Sequence, residues 1–476
     1  MIRLALPTGD LREPAGDLLH RAGFNADEYS RGSRSYAMRV EQENGAVQLR
    51  VFRERDIPIQ VVLGNYDLGI CGLDWLEDLT QRYPTDALVP LCDLGFGRRS
   101  LYVAAATAAD SDSLERWAAR PGLRIVSEYA NLAEAFAMGL RLATYRVFPV
   151  WGAAAAYPPE DADLAIVTAQ DDAELRAHGL LPLHRLFDSS AWLIANRESL
   201  ATKDMRAVLE PLRALAPGSN GRPALSLPLV RPAERARVSD TPSLERDGAV
   251  RLALPDGHQQ KHAVAALESA GLAVSGYGDE TAVARPRAEL AGLALKVIRP
   301  QDMPQQVAVG HFDLAITGRD WLLDHRYRFP ESPVEEVVDL RVGRYTVAAV
   351  AGEDTPAGSL DEAIAFWRGQ GAGPVRLASE YANIADNCAR AHHLPRYKVI
   401  PIGGASEGFV PEDAELLIEG TETGATLTAN RLKVIDVLFE STTCLIQHRG
   451  PVPEKRRRLV DQIIEMFSRS AAQRRA

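Results

Sequence analysis

The sequence predicts an α/β protein made of two tandem copies of one unit. Long stretches of the first half recur in the same order in the second half, at 2–25 and 250–273, at 65–78 and 311–324, and at 123–137 and 375–389. A repeat this long indicates two complete domains, because the repeats of solenoids span only about 20–50 residues. In both copies short apolar runs alternate with amphipathic segments, which is typical of buried strands that alternate with helices.

The first copy shows this alternation one element at a time. Apolar runs predict buried strands at 2–7, 47–52, 67–72, 101–106 and 123–128. The segments 13–23 and 56–65 have the amphipathic pattern of helices. We therefore predict mostly parallel sheets, and in each unit two lobes with a cleft between them for a small ligand.

A linker is predicted between the two units. Residues 216–248 are rich in proline, serine, glycine and charge, and they show little periodic apolar pattern. The predicted boundaries are therefore 1–215 for the first unit, 216–248 for the linker and 249–476 for the second unit.

Composition argues against several classes of protein. The 476 residues have a formal net charge of −10 and only a short basic run, "EKRRR", so no nucleic-acid partner is expected. Cys71, Cys92, Cys388 and Cys444 show no paired spacing, which argues against disulfides or a zinc site and for a reducing compartment. We find no signal-peptide pattern and no run of about 18 apolar residues, so we expect a cytoplasmic protein without a membrane segment.

Several motifs resemble those of one enzyme family. They are found at 51–74, at 94–105, in "SEYANL" at 127–132, in "SEYANI" at 379–384 and in "ELLIEGTETGATLTANRL" at 415–432. In this order they resemble ATP phosphoribosyltransferase, which opens histidine biosynthesis, over nearly all of both units. The resemblance implies two tandem copies of a two-lobed domain similar to type II periplasmic binding proteins, each copy similar to the family's short form.

The same resemblance implies a reaction and partners. Family members transfer the phosphoribosyl group of phosphoribosyl pyrophosphate to N1 of ATP, release pyrophosphate and need Mg²⁺. They are oligomers built on a dimer, and short members work with a partner that resembles histidyl-tRNA synthetase. Because positive charge develops on the ribose and negative charge on the leaving group, such a site must fix the 5′-phosphate and place cations at the pyrophosphate.

The stretch 421–427 is the predicted phosphate-binding loop, at the position where the family binds phosphoribosyl pyrophosphate. It follows an apolar strand-like run and precedes a short helix. Its small residues let backbone amides approach a phosphate, and its threonines add hydroxyl donors. An ordinary turn with a helix N-cap is the alternative. The loop residues are Thr421, Glu422, Thr423, Gly424, Ala425, Thr426 and Leu427.

The resemblance also assigns side chains around this loop. Glu407 and Glu419 face the sugar as the catalytic carboxylates, although Glu419 stands where the family has aspartate, and a solvated loop carboxylate is the alternative for each. Arg53, Arg55 and Arg299 are the candidate cations for ATP or pyrophosphate, and surface arginines at helix starts are the alternative.

Asp320 and Tyr381 are further candidates for the ATP side of the cleft. The alternative for Asp320, as for Asp74 in the first unit, is a helix N-cap, which we favour. The alternative for Tyr381, as for Tyr129, is packing in the core.

The first unit has an acidic version of the loop. Asp171, Asp172 and Glu174 stand where the second unit has Thr423, Gly424 and Thr426. Two like charges about 4 Å apart repel by about 4 kcal/mol at an effective dielectric constant of 20, which is roughly a thousandfold in affinity. We predict that only the second unit binds phosphoribosyl pyrophosphate. We also hypothesise that the units pair as a pseudo-dimer and that the first lends an arginine such as Arg53.

Both units depart from the family where it has Lys-Gly-Arg after the first strand. They read "TGD" at 8–10 and "DGH" at 256–258, so the lysine is missing and His258 is the candidate to replace part of the charge. An inactive duplicate that senses nucleotide or histidine, or regulates a true enzyme, is therefore the alternative function. An exported solute-binding protein of similar fold is disfavoured because no signal peptide is found.

Overall fold

The computed structural model describes residues 1–29, 36–42, 45–106, 114–118, 120, 122–142, 144–217, 222–226, 248–278, 283–370, 373–394, 396–422, 424–450 and 452–474. Within these ranges each unit forms two lobes, and each lobe is built around one sheet with helices packed on it. The tandem, two-lobed α/β architecture is therefore confirmed. No helix in the same ranges is both long and apolar enough to cross a bilayer.

The first unit contains eleven strands and eight helices among the described residues. The strands are β1 (Ile2–Pro7), β2 (Ala37–Gln42), β3 (Gly45–Phe52), β4 (Leu68–Gly72), β5 (Leu88–Asp93), β6 (Arg99–Ala106), β7 (Leu123–Ser127), β8 (Tyr145–Pro149), β9 (Leu164–Ala169), β10 (Leu180–Ser189) and β11 (Ala191–Asn196). The helices are α1 (Arg12–Arg21), α2 (Ile57–Val62), α3 (Leu73–Arg82), α4 (Leu114–Ala118), α5 (Ala130–Gly139), α6 (Asp172–Ala177), α7 (Arg197–Thr202) and α8 (Arg206–Leu215).

Two sheets define the lobes of the first unit, which we call 1A and 1B. Lobe 1A has the strand order β2-β3-β1-β4-β11-β5, and lobe 1B has the order β10-β6-β9-β7-β8. The prediction of mostly parallel sheets is wrong. The chain leaves lobe 1A after β5 and returns as β11, which lies antiparallel between β4 and β5. Two lobes joined by crossing strands therefore give mixed sheets.

The second unit repeats this plan. Its strands are β12 (Val250–Pro255), β13 (Val274–Ser275), β14 (Arg287–Ala288), β15 (Leu293–Ile298), β16 (Leu314–Gly318), β17 (Val334–Asp339), β18 (Tyr345–Gly352), β19 (Val375–Ser379), β20 (Tyr397–Pro401), β21 (Leu416–Thr421), β22 (Leu432–Ser441) and β23 (Thr443–His448). Its helices are α9 (Gln260–Ser269), α10 (Met303–Ala308), α11 (Arg319–Arg328), α12 (Leu360–Gly369), α13 (Ala382–Ala391), α14 (Ala425–Ala429) and α15 (Glu454–Gln473).

Lobes 2A and 2B are the counterparts of 1A and 1B. Lobe 2A has the strand order β13-β14-β15-β12-β16-β23-β17, and lobe 2B has the order β20-β19-β21-β18-β22. The returning strand β23 lies antiparallel between β16 and β17, as β11 does in the first unit. The two units therefore share one topology, except that among the described residues lobe 2A has the additional short edge strand β13.

The units pack head to tail, with lobe 1A on lobe 2B and lobe 2A on lobe 1B. Phe52 and Ile57 of lobe 1A share one core with Ile402 and Phe409 of lobe 2B, and the rings of Phe52 and Phe409 lie 4.8 Å apart. On the other side Ala253 and Met303 of lobe 2A share a core with Val150 and Tyr157 of lobe 1B. This pairing brings residues of one unit to the cleft of the other.

Ion pairs and hydrogen bonds accompany both contacts. The buried Asp161 of lobe 1B accepts from Lys296 Nζ at 2.7 Å and from Arg251 Nη2 at 2.6 Å, both in lobe 2A. At the equivalent place in the other contact, Asp413 accepts from Tyr66 Oη at 2.7 Å. Buried charges are tolerated only when they are paired in this way, so these contacts fix the relative position of the lobes.

Part of the predicted linker contacts both lobes of the first unit. Ser226 N donates to Leu186 O of β10 at 2.8 Å, while Arg222 forms an ion pair with Glu77 of α3. The residues of the linker at 218–221 and 227–247 lie outside the described ranges. All four cysteines are buried and free of disulfides, as predicted.

Candidate active site

The predicted phosphate loop joins β21 to α14 in lobe 2B, at the edge of the cleft of the second unit. Gly424 occupies the N-cap position of α14 with φ of +68°, a left-handed conformation that favours glycine. Its N–H donates to Thr421 Oγ1 at 3.0 Å, which ties the end of the strand to the start of the helix. Thr423 lies outside the described residues.

The remaining loop residues divide between packing and the cleft. Leu427 is buried under β22, whereas Ala425 and Thr426 are half-buried and Glu422 is exposed. Thr426 O accepts from Asn430 Nδ2 at 2.8 Å, which closes the short helix. The loop is therefore held by its own hydrogen bonds at a fixed place beside the carboxylates described next.

Glu407 and Glu419 meet beside this loop, together with a third carboxylate, Glu380. Ser406 Oγ donates to Glu419 Oε2, and the same hydroxyl lies 3.5 Å from Glu407 Oε2. Burial, and then the charges of Glu407 and Glu380, raise the pKa of Glu419 well above its usual value. Lobe 2B thus concentrates carboxyl groups next to the loop, and their mutual repulsion favours the protonated form of Glu419.

Glu380 was not identified from the sequence. It follows Ser379, the last residue of β19, which is parallel to β21 in the same sheet. Because parallel strands end at one edge, side chains that follow β19 and β21 lie close together, and this placement is the signal that could have found it. Burial raises the pKa of Glu380, while the charge of Arg53 acts in the opposite direction.

Arg53 reaches this carboxylate group from the other unit. It belongs to lobe 1A, yet a methyl group placed on Gly404 of lobe 2B would lie 2.6 Å from Arg53 Nε and 3.0 Å from Glu380 Oε1. Nearby, Asp56 Oδ2 accepts from Gly403 N at 2.9 Å and holds the two lobes in register. The first unit therefore contributes a cation to the cleft of the second unit.

Arg55 and Arg299 take different positions. The guanidinium of Arg55 lies 4.9 Å from the ring centre of Trp151 and 5.7 Å from that of Trp75, so it packs between the rings at the contact of the lobes. Arg299 lies against Gly152 of lobe 1B and forms a 3.3 Å ion pair with Asp256. The structure places Arg299 beside the cleft of the first unit, apart from the loop at 421–427.

Asp320 and Tyr381 are buried rather than exposed to the cleft. Asp320 Oδ1 accepts from Ser441 Oγ at 3.0 Å, and the ring of Tyr381 lies 4.4 Å from that of Trp321. The N-cap interpretation of Asp320 is wrong, since Gly318 holds the N-cap position of α11 and Asp320 is the second residue of the helix.

Asp74 repeats this arrangement in the first unit. The N-cap interpretation is wrong there too, because Gly72 is the N-cap of α3. Asp74 Oδ2 instead accepts from Tyr129 Oη at 2.9 Å. Both aspartates therefore connect the lobes of their own unit from within the core.

The acidic loop of the first unit binds its own backbone. Asp171 Oδ1 accepts from the N–H groups of Ala173 and Glu174, both at 2.9 Å. Glu174 Oε2 accepts from Gln170 N at 2.6 Å. These carboxylates occupy amide groups that would otherwise be available to an anion, and Ala155 and Val167 stand in place of Glu407 and Glu419.

Basic side chains on lobe 2A face the loop from across the cleft. Lys261 Nζ and His262 Nε2, at the start of α9, each lie 3.5 Å from a carboxylate oxygen of Glu422. His258, the residue that the sequence suggested, is exposed in the turn before α9. The sequence pattern alone did not identify Lys261 and His262, because both belong to the first turn of an ordinary amphipathic helix.

Comparison with known proteins identifies the family. The HisG family model, described as ATP phosphoribosyltransferase, matches residues 53–215 and 299–469. The ATP phosphoribosyltransferase of Moorella thermoacetica is 32% identical over 227 residues, which are 47% of this chain and 93% of that protein. That of Deinococcus deserti is 30% identical over 225 residues, which are 46% of this chain and 94% of that protein.

A solved structure matches one unit as well. A chain of the ATP phosphoribosyl transferase (HisG:HisZ) complex of Thermotoga maritima aligns with a TM-score of 0.37 and 19% identity, over 47% of this chain and 99% of that chain. The family model covers matching parts of both units, and each relative spans about half of the chain. The chain therefore belongs to the ATP phosphoribosyltransferase family, whose members are glycosyltransferase-type enzymes.

Proposed function

We propose that the chain transfers the phosphoribosyl group of phosphoribosyl pyrophosphate to N1 of ATP, with release of pyrophosphate, in the cleft of the second unit. Family membership supports the reaction. One observation supports the location: in the first unit, Asp171 and Glu174 occupy the amide groups of the loop, whereas the second unit has neutral side chains there. One active site per chain follows.

Each group of the site has a task in this proposal. The loop at 421–427 binds the 5′-phosphate through backbone amides and hydroxyl groups. Glu407 and Glu419 bind the ribose hydroxyls, and the carboxyl oxygens of this pair stabilise the positive charge that develops on the ring as the bond to pyrophosphate breaks. Arg53, which reaches across the lobe contact to lie beside Gly404, neutralises pyrophosphate or the phosphates of ATP.

Mg²⁺ fits this donor set as a cation that accompanies the substrate. No group of three or more His, Cys, Asp or Glu side chains in the described ranges is arranged to hold a metal ion. Mg²⁺ usually binds through one or two carboxylates together with substrate phosphates, and Glu407 and Glu419 are the carboxylates that would hold it here. When bound, the ion neutralises charge on the leaving pyrophosphate.

The remaining proposals concern assembly. The HisG:HisZ complex of Thermotoga maritima contains a second type of subunit, and we propose a comparable regulatory partner, similar to histidyl-tRNA synthetase, for this chain. We also propose that the chain forms homo-oligomers, with the paired units of one chain taking the place of the family's dimer, and that it acts in the cytoplasm.

The test combines catalysis with stoichiometry. The purified full chain is incubated with ATP, Mg²⁺ and phosphoribosyl pyrophosphate, and the adenine adduct is measured by mass spectrometry, while calorimetry counts the bound phosphoribosyl pyrophosphate. We expect adduct and one equivalent bound per chain. Two equivalents would contradict the single site. Neither product nor binding would refute the enzyme and favour the inactive, regulatory duplicate.

A further inference from the structure

The cleft of the second unit has basic side chains on the wall opposite the phosphate loop. Lys261 and His262 lie in the first turn of α9, and both contact Glu422, which follows β21 on the other lobe. Lys261 Nζ lies 3.5 Å from Glu422 Oε2, and His262 Nε2 lies 3.5 Å from Glu422 Oε1. One carboxylate therefore faces two basic groups across the cleft.

Polar atoms on this wall are buried without hydrogen-bond partners. Among the described residues they are Gln259 Oε1 and Gln260 Nε2, which are adjacent in the chain and directly precede Lys261. A buried polar atom that makes no hydrogen bond costs about 1–3 kcal/mol. A ligand with several hydrogen-bonding oxygens would remove part of this cost, so the wall is suited to an anionic group.

The first unit has no such wall. In the repeat that aligns 2–25 with 250–273, Glu13 and Pro14 stand in place of Lys261 and His262. Gln170 stands in place of Glu422. The basic pair and its carboxylate partner therefore occur only in the unit that has the neutral phosphate loop.

We propose that Lys261 and His262 form a subsite for a polyphosphate group, the diphosphate or the triphosphate of a ligand in this cleft. Its oxygens replace the carboxylate of Glu422 as the partner of the lysine ammonium, which binds phosphates as a compact point charge. The inference rests on the proposed function for the identity of the ligand. In this proposal α9 supplies a positive charge that the turn at 256–258 does not, because that turn has no lysine.

Inorganic pyrophosphate is the probe, titrated calorimetrically into the full chain in the presence of Mg²⁺. Lys261→Gln should weaken its binding about tenfold, the effect of one charge-assisted hydrogen bond, and His262→Gln by a smaller factor. Glu422→Gln should act in the opposite direction and tighten binding several-fold, because it removes the competing carboxylate. Arg326→Gln, at an exposed site on α11 of the same lobe, is the matched control and should change nothing.

Further ligands distinguish the source of the polyphosphate. Ribose 5-phosphate, which has no diphosphate, should bind equally to the wild type and to Lys261→Gln. A loss confined to phosphoribosyl pyrophosphate assigns the subsite to the diphosphate, and a loss confined to ATP assigns it to the triphosphate. Lys261→Arg should retain most of the affinity, and unfolding curves of each variant show whether it folds.

The subsite and the reaction can fail separately. If Lys261→Gln and His262→Gln bind pyrophosphate, ATP and phosphoribosyl pyrophosphate as the wild type does, the subsite is refuted, whatever the activity. If the wild type makes no adduct but pyrophosphate affinity still depends on Lys261 and Glu422, the subsite stands and the proposed reaction does not.

Discussion

The two units keep the same buried frame and differ at the ligand loop. Ser127 Oγ donates to Ile166 O at 2.8 Å, and Ser379 Oγ donates to Ile418 O at 2.7 Å. The frame therefore recurs to within a tenth of an ångström at these bonds, in units whose loops differ in charge at four positions. Buried hydrogen bonds constrain a duplicated fold strongly, whereas an exposed loop can change without loss of the fold.

The difference between the clefts extends to the residues that each receives from the other unit. The second cleft receives Arg53, which faces Glu380, and the first cleft receives Arg299, which faces Glu128. Burial raises the pKa of Glu128 to about 7, and Arg299 acts in the opposite direction. Each cleft therefore receives an arginine from the other unit, although only the second cleft has the neutral loop that is proposed to bind substrate.

The largest effect is expected from a substitution in the phosphate loop of the second unit that makes it resemble the loop of the first unit. Thr426→Glu gives the second unit the carboxylate that the first has at Glu174, and phosphoribosyl pyrophosphate affinity should fall roughly a thousandfold through charge repulsion. Glu174→Thr in the first unit is the matched control and should leave that affinity unchanged. Calorimetric titration measures both, and an equal loss in the two variants would place the ligand elsewhere.

The contacts between the units should differ in strength. Although burial acts to raise the pKa of Asp161, Lys296 and Arg251 hold it below its usual value. Asp161→Ala leaves both cations buried without this partner and should lower the free energy of unfolding by about 3 kcal/mol. Asp413→Ala, which removes the acceptor of Tyr66, should cost about 1–2 kcal/mol. Denaturant unfolding of both variants measures the difference, and equal losses would contradict it.

The reciprocal arginines should differ in function. Arg53→Ala should lower kcat/KM about a hundredfold, because a preorganised cation at the developing charge is lost. Arg299→Ala, at the counterpart position beside the first cleft, should lower kcat/KM by less than about threefold, because that cleft is proposed to bind no substrate. Steady-state kinetics with both substrates measures the two variants. If Arg53→Ala leaves catalysis and both substrate affinities unchanged, the first unit lends no functional arginine.

Most of the strands and helices could be predicted from the sequence, because the repeat and the apolar runs are visible in contiguous stretches of residues. The repeats placed β1, β4 and β7 and their counterparts, and the run before 421 placed β21. The antiparallel return of β11 could not be predicted in this way, since it depends on which lobe a strand joins. Glu380 joins Glu419 through the sheet, so it could be found only from the expectation that the parallel strands β19 and β21 end at one edge.

The candidate site could be predicted only in part, because some of its residues are far apart in the sequence. The loop at 421–427 is contiguous, so its residue types are visible together in the sequence. Lys261 and Glu422 are 161 positions apart in the numbering of the chain and meet only when the lobes face each other. Arg299 was grouped with Arg53 because their motifs match, yet head-to-tail pairing sends each to the other unit's cleft.

The smallest expected effect concerns a carboxylate that the second unit lacks. Glu54 lies in the cleft of the first unit, where the second has Pro300, and burial, followed by the charge of Asp74, raises its pKa to about 8. A raised pKa means that the folded state binds the proton more tightly than the unfolded state, so stability is highest below the unfolded pKa and falls as the pH rises through about 8.

Glu54→Gln replaces this titratable carboxyl group with a neutral amide. The variant should have a free energy of unfolding that is higher by on the order of 1–2 kcal/mol at alkaline pH and nearly unchanged in mild acid. Unfolding curves across that range test the sign, with the exposed Glu331→Gln as control. A gain as large in acid as in alkali would show that the variant acts through packing and that the two clefts do not differ in their proton binding at this position.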